Sequence, residues 1–204
     1  MANSNAPMGL MPLELDFSRC HMYPIELDYN TNIFVNDPVV LTSGGFINVA
    51  TCGQSDAILG SLVGVFKSDI PSDAYGRSLL PVGYYPGSAA ATEAYWAMVA
   101  DDVNQTFLIQ EAVPSSGSTQ LTVAAQGAYV YLYTGTGDAT YGTNLSAYTF
   151  DPYTLNTTAA YGQLKLMYLQ KQLDLGSGAM NAYGAYAKWV VRIASAVHQN
   201  NLPV

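Results

Sequence analysis

Charged side chains are scarce in this sequence. Asp, Glu, Lys and Arg make up 11% of its 204 residues, against about 25% in an ordinary soluble domain. Seven residues are Lys or Arg, and they are scattered singly, whereas neutralising a phosphate backbone requires clustered cations. Direct nucleic-acid binding is therefore not expected, and neither is attachment to an anionic membrane surface.

Long apolar runs and a secretion signal are also missing. No run approaches the ~20 residues that span a bilayer. The opening MANSNAPMGLMPLEL has neither the basic start nor the continuous apolar segment of a signal peptide. We therefore expect a soluble protein that is made in the cytoplasm.

Cysteine and histidine are equally rare. The two cysteines, Cys20 and Cys52, are expected to be free thiols because no secretion signal points to an oxidising compartment. The two histidines, His21 and His198, lie far apart, and no paired spacing such as CxxC or HxxxH is present. No metal and no cofactor is expected.

Catalytic motifs are missing as well, which leaves the stretch YWAMVADDVNQTFLIQEA as the main candidate for acid–base chemistry. Asp101 and Asp102 are adjacent, so they would point to opposite sides of a strand, and Glu111 lies well beyond them. Asp-Asp-Val-Asn is typical of a turn. The sequence therefore favours a hairpin with a polar corner over an active site, and no enzyme is predicted. An enzyme would need distant acids brought into one pocket, drawn from Asp56, Asp69, Asp73, Glu93 and Asp138.

What the sequence does contain is tyrosine and short β-type runs. Half the residues are apolar and sixteen are Tyr, a residue enriched at interfaces because it combines an apolar ring with a hydroxyl. The runs, such as PVVLT, AYVYLYT and YAKWVVRIA, are separated by Gly, Pro, Asn and Asp. This pattern predicts a mainly β fold, a jelly-roll-like sandwich or a barrel.

The domain organisation follows from the same pattern. Residues 1–19 lack periodicity and read as an extended N-terminal arm that does not build the core; residues 20–204 form a single β-rich domain. A loop excursion is predicted near 135–162, and a helical turn or two within 115–126. In YAKWVVRIA, Trp189 and Val191 share a buried face, while Lys188, Val190 and Arg192 share a face exposed to water.

Three blocks of the chain follow distinct sequence patterns. The first is an arm of the type M-A-N-x-N-A-P-x-G-L, the second a hairpin similar to V-x-x-DD-P-x-x-x-F-x-I-Q-E, and the third a strand similar to A-K-W-x-V-x-I-x-x-H. The matching residues are Asn3, Asn5, Ala6, Pro7, Gly9 and Leu10; Val99, Asp101, Asp102, Phe107, Ile109, Gln110 and Glu111; and Ala187, Lys188, Trp189, Val191, Ile193 and His198. In these three blocks the chain resembles the decoration (cement) proteins of tailed-bacteriophage heads. Val103 stands where the pattern commonly has Pro, and segment 135–162 has no clear counterpart.

The resemblance implies a virion protein that is made in the host cytoplasm and binds the outer surface of the assembled capsid. It would cement neighbouring capsomers against the pressure of packaged DNA. Its partners would be the major capsid protein and itself, as a homotrimer or, alternatively, a dimer. The alternatives are a tail or neck component and a virion-borne carbohydrate-binding module. The candidate interface residues are Met8, Leu10, Met11, Leu13, Tyr84, Tyr85, Tyr129, Tyr131 and Tyr133.

Overall fold

The computed structural model of the chain describes residues 3–53, 57–68, 79–87, 93–113, 121–134, 146–158, 162–171 and 180–194. The strands in these ranges are β1 Met11–Pro12, β2 Cys20–Ile25, β3 Ile33–Phe34, β4 Pro38–Leu41, β5 Ile47–Val49, β6 Gly60–Ser68, β7 Leu79–Val82, β8 Tyr84–Tyr85, β9 Tyr95–Ala100, β10 Phe107–Gln110, β11 Tyr129–Thr134, β12 Tyr148–Asn156, β13 Leu164–Leu169 and β14 Lys188–Ile193. Two 3₁₀ turns accompany them, at Phe17–Arg19 and Val123–Ala125. The prediction of a mainly β fold of the sandwich or barrel type is confirmed.

The first half of the chain closes into a ring of five strands, here named the first barrel. Its strand order is β4-β5-β2-β9-β6, and β6 pairs back to β4 through Val39 and Gly60. β7 extends the sheet beyond β6, and the short strands β3 and β8 pair separately. Alternate residues of the strands face inward, except in β6, where a register shift between Leu62 and Gly64 breaks the alternation. The interior contains Ile25, Val39, Ile47, Leu62, Val65, Ala97 and Val99.

The second half, together with β1 from the N-terminal end, forms a sheet in the order β1-β10-β14-β13-β11-β12. Its two sides meet where Glu111, directly after β10, bridges to Phe150 of β12 and the Ala112 N–H donates to the Phe150 carbonyl at 2.9 Å. We name this ring the second barrel. Its interior contains Phe107, Ile109, Val130, Leu132, Phe150, Leu164, Leu166, Trp189 and Val191.

The two barrels share one apolar cluster. Ala50, Ile58 and Ala100 of the first half are buried in the same cluster as Trp189 of the second. Hydrogen bonds cross the junction too, since the Tyr148 hydroxyl donates to the Ala50 carbonyl at 2.8 Å. The junction is therefore an internal, well-packed contact.

Residues 3–13, here named the N-terminal strap, lie along the second barrel. The Asn3 side-chain amide donates to the carbonyls of Ala182 and Ala185 at 2.8 and 3.0 Å. β1 pairs with β10, and the Leu10 N–H donates to the Asn36 carbonyl at 2.8 Å.

Leu10 is fully buried in the shared cluster. The prediction that the arm does not build the core is therefore wrong at Leu10. The reason is that the segment is held by contacts with residues far along the chain, such as the hydrogen bonds from Asn3 to Ala182 and Ala185 and the pairing of β1 with β10. The periodicity of the local sequence does not reveal such distant partners.

The strap also changes the burial of β14. Lys188 and Val190, predicted to face water, are 6% and 0% exposed, and the Lys188 ammonium donates to the Ser4 carbonyl at 3.1 Å. Trp189 and Val191 are buried as predicted. The exposed-face prediction therefore fails at Lys188 and Val190. At Lys188 the reason is the strap, because Ser4, 184 positions away by chain order, lies over the ammonium.

The predicted hairpin Tyr95–Ala112 is also corrected. β9 pairs with β2 and β6 in the first barrel, whereas β10 pairs with β1 and β14 in the second. The turn between them therefore connects the two barrels. Turn chemistry identifies where a chain bends, but the partners of each strand are set by contacts elsewhere.

Two further predictions fall in segments that are partly described. The predicted excursion at 135–162 contains the nine-residue strand β12, so that prediction is wrong for Tyr148–Asn156, while residues 135–145 lie outside the described part. Of the predicted turn within 115–126, residues 115–120 lie outside as well, and Val123–Ala125 forms a single 3₁₀ turn.

Candidate interaction surfaces

The predicted tyrosine stripe of β11 lies on the outside of the second barrel. Tyr129, Tyr131 and Tyr133 alternate with buried Val130 and Leu132, and Tyr133 is 39% exposed. The Lys165 ammonium lies 5.7 Å from the centre of the Tyr129 ring, a cation–π contact. These three tyrosines are thus placed on one accessible face, as an interface role requires.

A large bulge in β12 enlarges this face. Between the pairs Tyr129–Asn156 and Tyr131–Asp151, β11 advances by two residues and β12 by five. The extra residues raise Tyr153 and Leu155 to 44% and 41% exposure. We name the set Tyr129, Tyr131, Tyr133, Tyr153 and Leu155 the tyrosine face.

Hydrogen bonds fix the bulge in place. The Asp151 carboxylate accepts from the Tyr153 N–H at 2.9 Å. The Thr154 hydroxyl donates to the Asp151 carbonyl at 2.7 Å and accepts from the Tyr131 N–H at 2.9 Å. Bulges re-aim side chains at defined positions, so Tyr153 and Leu155 are presented by a built feature of the sheet.

The other predicted interface tyrosines lie elsewhere. Tyr85 is 1% exposed; its ring meets Tyr95 edge-on at 5.2 Å, and its hydroxyl donates to the Tyr29 carbonyl at 2.9 Å. The prediction of Tyr85 as an interface residue is wrong because a core ring with a satisfied hydroxyl is not available to a partner. Tyr84 is half-buried and stacks on Phe34 at 5.4 Å.

The predicted interface residues of the strap divide in the same way. Leu10 is 0% exposed, so its prediction as an intermolecular contact is wrong. Met8, Met11 and Leu13 are half-buried against the chain's own barrels, and Met11 of β1 is paired with Leu108 of β10. The parts of these three side chains that remain exposed belong to the outer surface of the strap.

The adjacent aspartates of the connecting turn have different roles. Asp102 forms the predicted polar corner, because its carboxylate accepts from the Asn104 N–H at 2.7 Å and from Arg19 at 3.0 Å. The Asp101 side chain is 1% exposed and faces the opposite way, where it accepts from the Tyr23 hydroxyl at 2.6 Å. It also bonds to Nδ1 of His21 at 2.8 Å. Asp101 is therefore more than a turn residue, which local sequence did not indicate.

A carboxylate bonded to an imidazole is the arrangement that orients a general base. The His21 side chain is 67% exposed on the surface of β2. A depression of about 360 Å³ lies elsewhere, lined by Gln126, Tyr168, Leu169, Gln170, Lys171 and Tyr183 of the second barrel. The hydrogen bond between His21 and Asp101 connects β2 to the start of the turn. Burial raises the pKa of the Tyr23 hydroxyl, and the hydrogen bond to Asp101 raises it further.

Glu111 is the second buried acid of the predicted candidate set. It is 2% exposed, and its carboxylate accepts from Nε1 of Trp189 at 3.2 Å and from the Leu121 N–H at 3.3 Å. Burial raises its pKa to about 7, which these two hydrogen bonds oppose. Glu111 sits in the closure of the second barrel, whereas Asp101 lies at the start of the turn against β2.

Of the other five acids named for a possible active site, Glu93 lies in the described part of the chain. Glu93 is half-buried and pairs with Lys67 at 2.5 Å and with the Tyr95 hydroxyl at 2.9 Å. The Lys67 hydrogen bond lowers the pKa of Glu93. The other four, Asp56, Asp69, Asp73 and Asp138, lie outside the described residues.

Metal, thiol and membrane features complete the survey. Within the described ranges no group of three or more His, Cys, Asp or Glu could hold a metal ion. Cys20 and Cys52 are both free and half-buried, and burial raises the pKa of each thiol. Among the described residues, no helix has the length and apolarity needed to cross a bilayer.

Comparison with known proteins gave no match: no family model, no curated protein sequence and no solved structure is significantly similar to this chain.

Proposed function

We propose that this protein is a non-enzymatic structural component of a virion, which binds the outside of the assembled capsid and cements neighbouring capsomers. The observation that carries the proposal is the tyrosine face, where a hydrogen-bonded bulge holds Tyr153 and Leu155 beside the β11 tyrosines. Aromatic residues concentrate in the cores of protein interfaces, and charged residues are depleted there. The three sequence blocks that resemble decoration proteins support the same reading.

The mechanism is linkage between binding and assembly. A protein that binds the assembled lattice but not loose subunits stabilises the lattice by RT ln(1 + [L]/Kd), about 2.7 kcal/mol per site at a hundredfold excess over Kd. Many equivalent sites on one shell multiply this effect. The partners are the major capsid protein and other copies of the chain, as a homotrimer or a dimer, on the outer surface of the head.

The test uses heads of the phage that encodes the chain, prepared without the protein and then mixed with it. We expect saturable co-sedimentation with the heads and a higher temperature of DNA release on heating. Tyr153→Ser should weaken binding by about tenfold or more, since central aromatic anchors of interfaces are typically worth over 1 kcal/mol. Tyr168→Ser is the matched control, because Tyr168 is 50% exposed but lies on β13 beside the depression, and is not part of the tyrosine face of β11 and β12. Equal binding by both variants, or no binding to heads, contradicts the proposal.

A carbohydrate-binding role is the second candidate, and the depression of about 360 Å³ favours it. Two exposed tyrosines, Tyr168 and Tyr183, line it together with Gln126, Gln170 and Lys171. Aromatic rings beside amide groups suit a sugar, which has an apolar face and many hydroxyls. The same pair of variants separates the candidates: in a glycan-binding assay Tyr168→Ser should lose binding and Tyr153→Ser should keep it. Absence of glycan binding by the unmodified chain rejects this candidate.

A further inference from the structure

The outside of the first barrel presents an apolar surface that spans four strands. Pro24, Trp96, Phe66 and Pro81 are directly paired across β2, β9, β6 and β7. Paired residues of adjacent strands project from the same side of a sheet, so the row extends for ~14 Å at the usual strand spacing. Met22 and Met98 form a second row beside it. We name these six residues the open face.

The position of the open face follows from the alternation in β9. Tyr95, Ala97 and Val99 enter the barrel interior, so Trp96 and Met98 project outward. On a strand exposed to water the outward positions are usually polar, yet here they are Trp and Met. None of the six side chains is ionisable. Met22 is 37% exposed, Pro81 is exposed, and the other four are partly exposed.

The same outer surface is already an interface at one end. Two residues beyond the Met22–Met98 pair, Cys20 pairs with Ala100, and both join the apolar cluster that the two barrels share. The sheet surface is therefore continuous: one end is buried against the second barrel, and the other end is the open face.

We infer that the open face is the contact through which a second copy of this chain binds. Trp, Phe and Met are the residues enriched at interface centres. A partner surface with ordinary charge content would have to bury unpaired charges here, which is costly. Another open face carries no ionisable group and meets this requirement. The chain has a net charge of −8, so copies repel across most of their surfaces, and an uncharged contact keeps that repulsion smallest.

The biological meaning of this inference rests on the proposed function. The inference assigns self-association to the first barrel and leaves the tyrosine face of the second barrel for the capsid. Self-association is measured in solution without capsids. A failure here therefore leaves the capsid-binding result untouched, and the reverse also holds.

The experiment is sedimentation equilibrium of the full chain from nanomolar to high micromolar concentration. We expect a reversible oligomer whose dissociation constant rises about tenfold or more in Met22→Lys, because each copy then places a cation in the contact. Leu155→Lys is the matched control, since Leu155 is similarly exposed at 41% but lies on the tyrosine face. Its dissociation constant should stay within about twofold of the unmodified chain's.

Tryptophan quenching gives an independent readout that does not depend on a charged substitution. The chain has two tryptophans, and Trp189 is fully buried while Trp96 is partly exposed. Dilution should increase acrylamide quenching of the unmodified chain, and Trp96→Phe should abolish the increase. A chain that stays monomeric at high micromolar concentration overturns the inference. So does an oligomer that Leu155→Lys weakens as much as Met22→Lys, or one in which quenching does not change on dilution.

Discussion

The outer surfaces of the two barrels differ in what lies over them. On the second barrel, the strap covers β10 and β14, and its backbone and side chains bond to Gln110 and Lys188. On the first barrel, the corresponding outward positions of β2, β9 and β6 are apolar and remain partly exposed. The covered surface includes the polar groups of Gln110 and Lys188 beside apolar Leu108 and Val190, whereas all six residues of the open face are apolar.

This difference indicates two kinds of contact. Polar groups that are buried within one chain can be matched by specific donors and acceptors, because the covering segment is always present. An apolar surface needs no such pairing and can be covered reversibly. We therefore expect the strap to be a permanent part of the fold, whereas the role proposed for the open face is that of an intermolecular contact.

Removing the strap should have the largest effect. A chain that begins at residue 14 loses the buried Leu10 side chain and the Ser4 carbonyl that accepts from the Lys188 ammonium. We expect the free energy of unfolding to fall by at least about 3 kcal/mol, the usual cost of truncating a buried leucine. That corresponds to roughly 6–12 °C in Tm for a chain of this size.

Urea denaturation followed by Trp189 fluorescence measures the loss. Leu10→Ala in the full chain is the control, because it removes the side chain but keeps the hydrogen bonds of the strap, and it should lose less than the truncation. An unchanged urea midpoint in the truncated chain would mean that the strap does not belong to the fold.

Gly9→Ala should come next. Gly9 has φ +70°, and a Cβ there would lie 2.3 Å from the Asn36 carbonyl oxygen and from the Ser146 side chain. Gly45→Ala is a matched control, since Gly45 has φ +81° with no atom within 4 Å of its Cβ position. Both substitutions incur the left-handed backbone penalty of roughly 1–2 kcal/mol. Gly9→Ala should cost a further ~1–3 kcal/mol for the clash, and equal unfolding midpoints of the two variants would contradict this close approach.

The closure of the second barrel predicts a pH dependence. Burial raises the pKa of Glu111 from 4.5 to about 7, so the folded chain keeps a proton that the unfolded chain releases in this interval. Its contribution to stability is complete below pH 4.5 and is lost as the pH rises through about 7. Asp37, whose pKa burial raises to about 6, acts in the same direction. Between pH 5 and pH 8 we expect Glu111 to lower the stability of the chain by about 2–3 kcal/mol and Asp37 to lower it by about 1 kcal/mol more.

Glu111→Gln tests the assignment. The amide oxygen can still accept from Trp189, but the side chain no longer titrates. The difference in urea midpoint between pH 5 and pH 8 should shrink to the part that Asp37 supplies. A variant with the same pH dependence as the unmodified chain would exclude Glu111 as the source.

A polar substitution on the open face should have the smallest effect on folding. Met22→Ser, measured at a concentration where the chain is monomeric, should change the free energy of unfolding by less than about 0.5–1 kcal/mol, as is usual for surface positions. A loss as large as that of Leu10→Ala would show that the open face supports the barrel itself, and the contrast between the two surfaces would fail.

Local sequence pattern predicted most of the strands but not their partners. Alternation identifies β11, and short apolar runs rich in Val and Ile identify β4 and β14. It misses β1, which is two residues with a proline, and β12, where Asp151 and Pro152 interrupt the pattern. The connection Tyr95–Ala112 was read as a hairpin because which strand pairs with β9 depends on β2 and β6.

The residues of the candidate surfaces also differ in whether the local sequence could predict their exposure. The β11 tyrosines were placed on an outer face by simple alternation, while the burial of Tyr85 depends on Tyr29 and Tyr95, which no local pattern relates. Tyr153 and Leu155 were missed because the bulge that exposes them is set by pairing with β11. The open face had a local signal, since β9 is apolar on both of its sides.

The strap also sets an order of events during synthesis. The hydrogen bond from Asn3 to Ala182 joins residues 179 positions apart, and that from Lys188 to Ser4 joins residues 184 positions apart. At ribosomal rates of about 5–20 residues per second, the strap waits roughly 10–40 s for its partners to be made. The first barrel, by contrast, has all its strands once residue 100 has left the ribosome. A nascent chain stalled before residue 180 should therefore carry a folded first barrel and a protease-sensitive strap, and release of the stall should protect the strap as well.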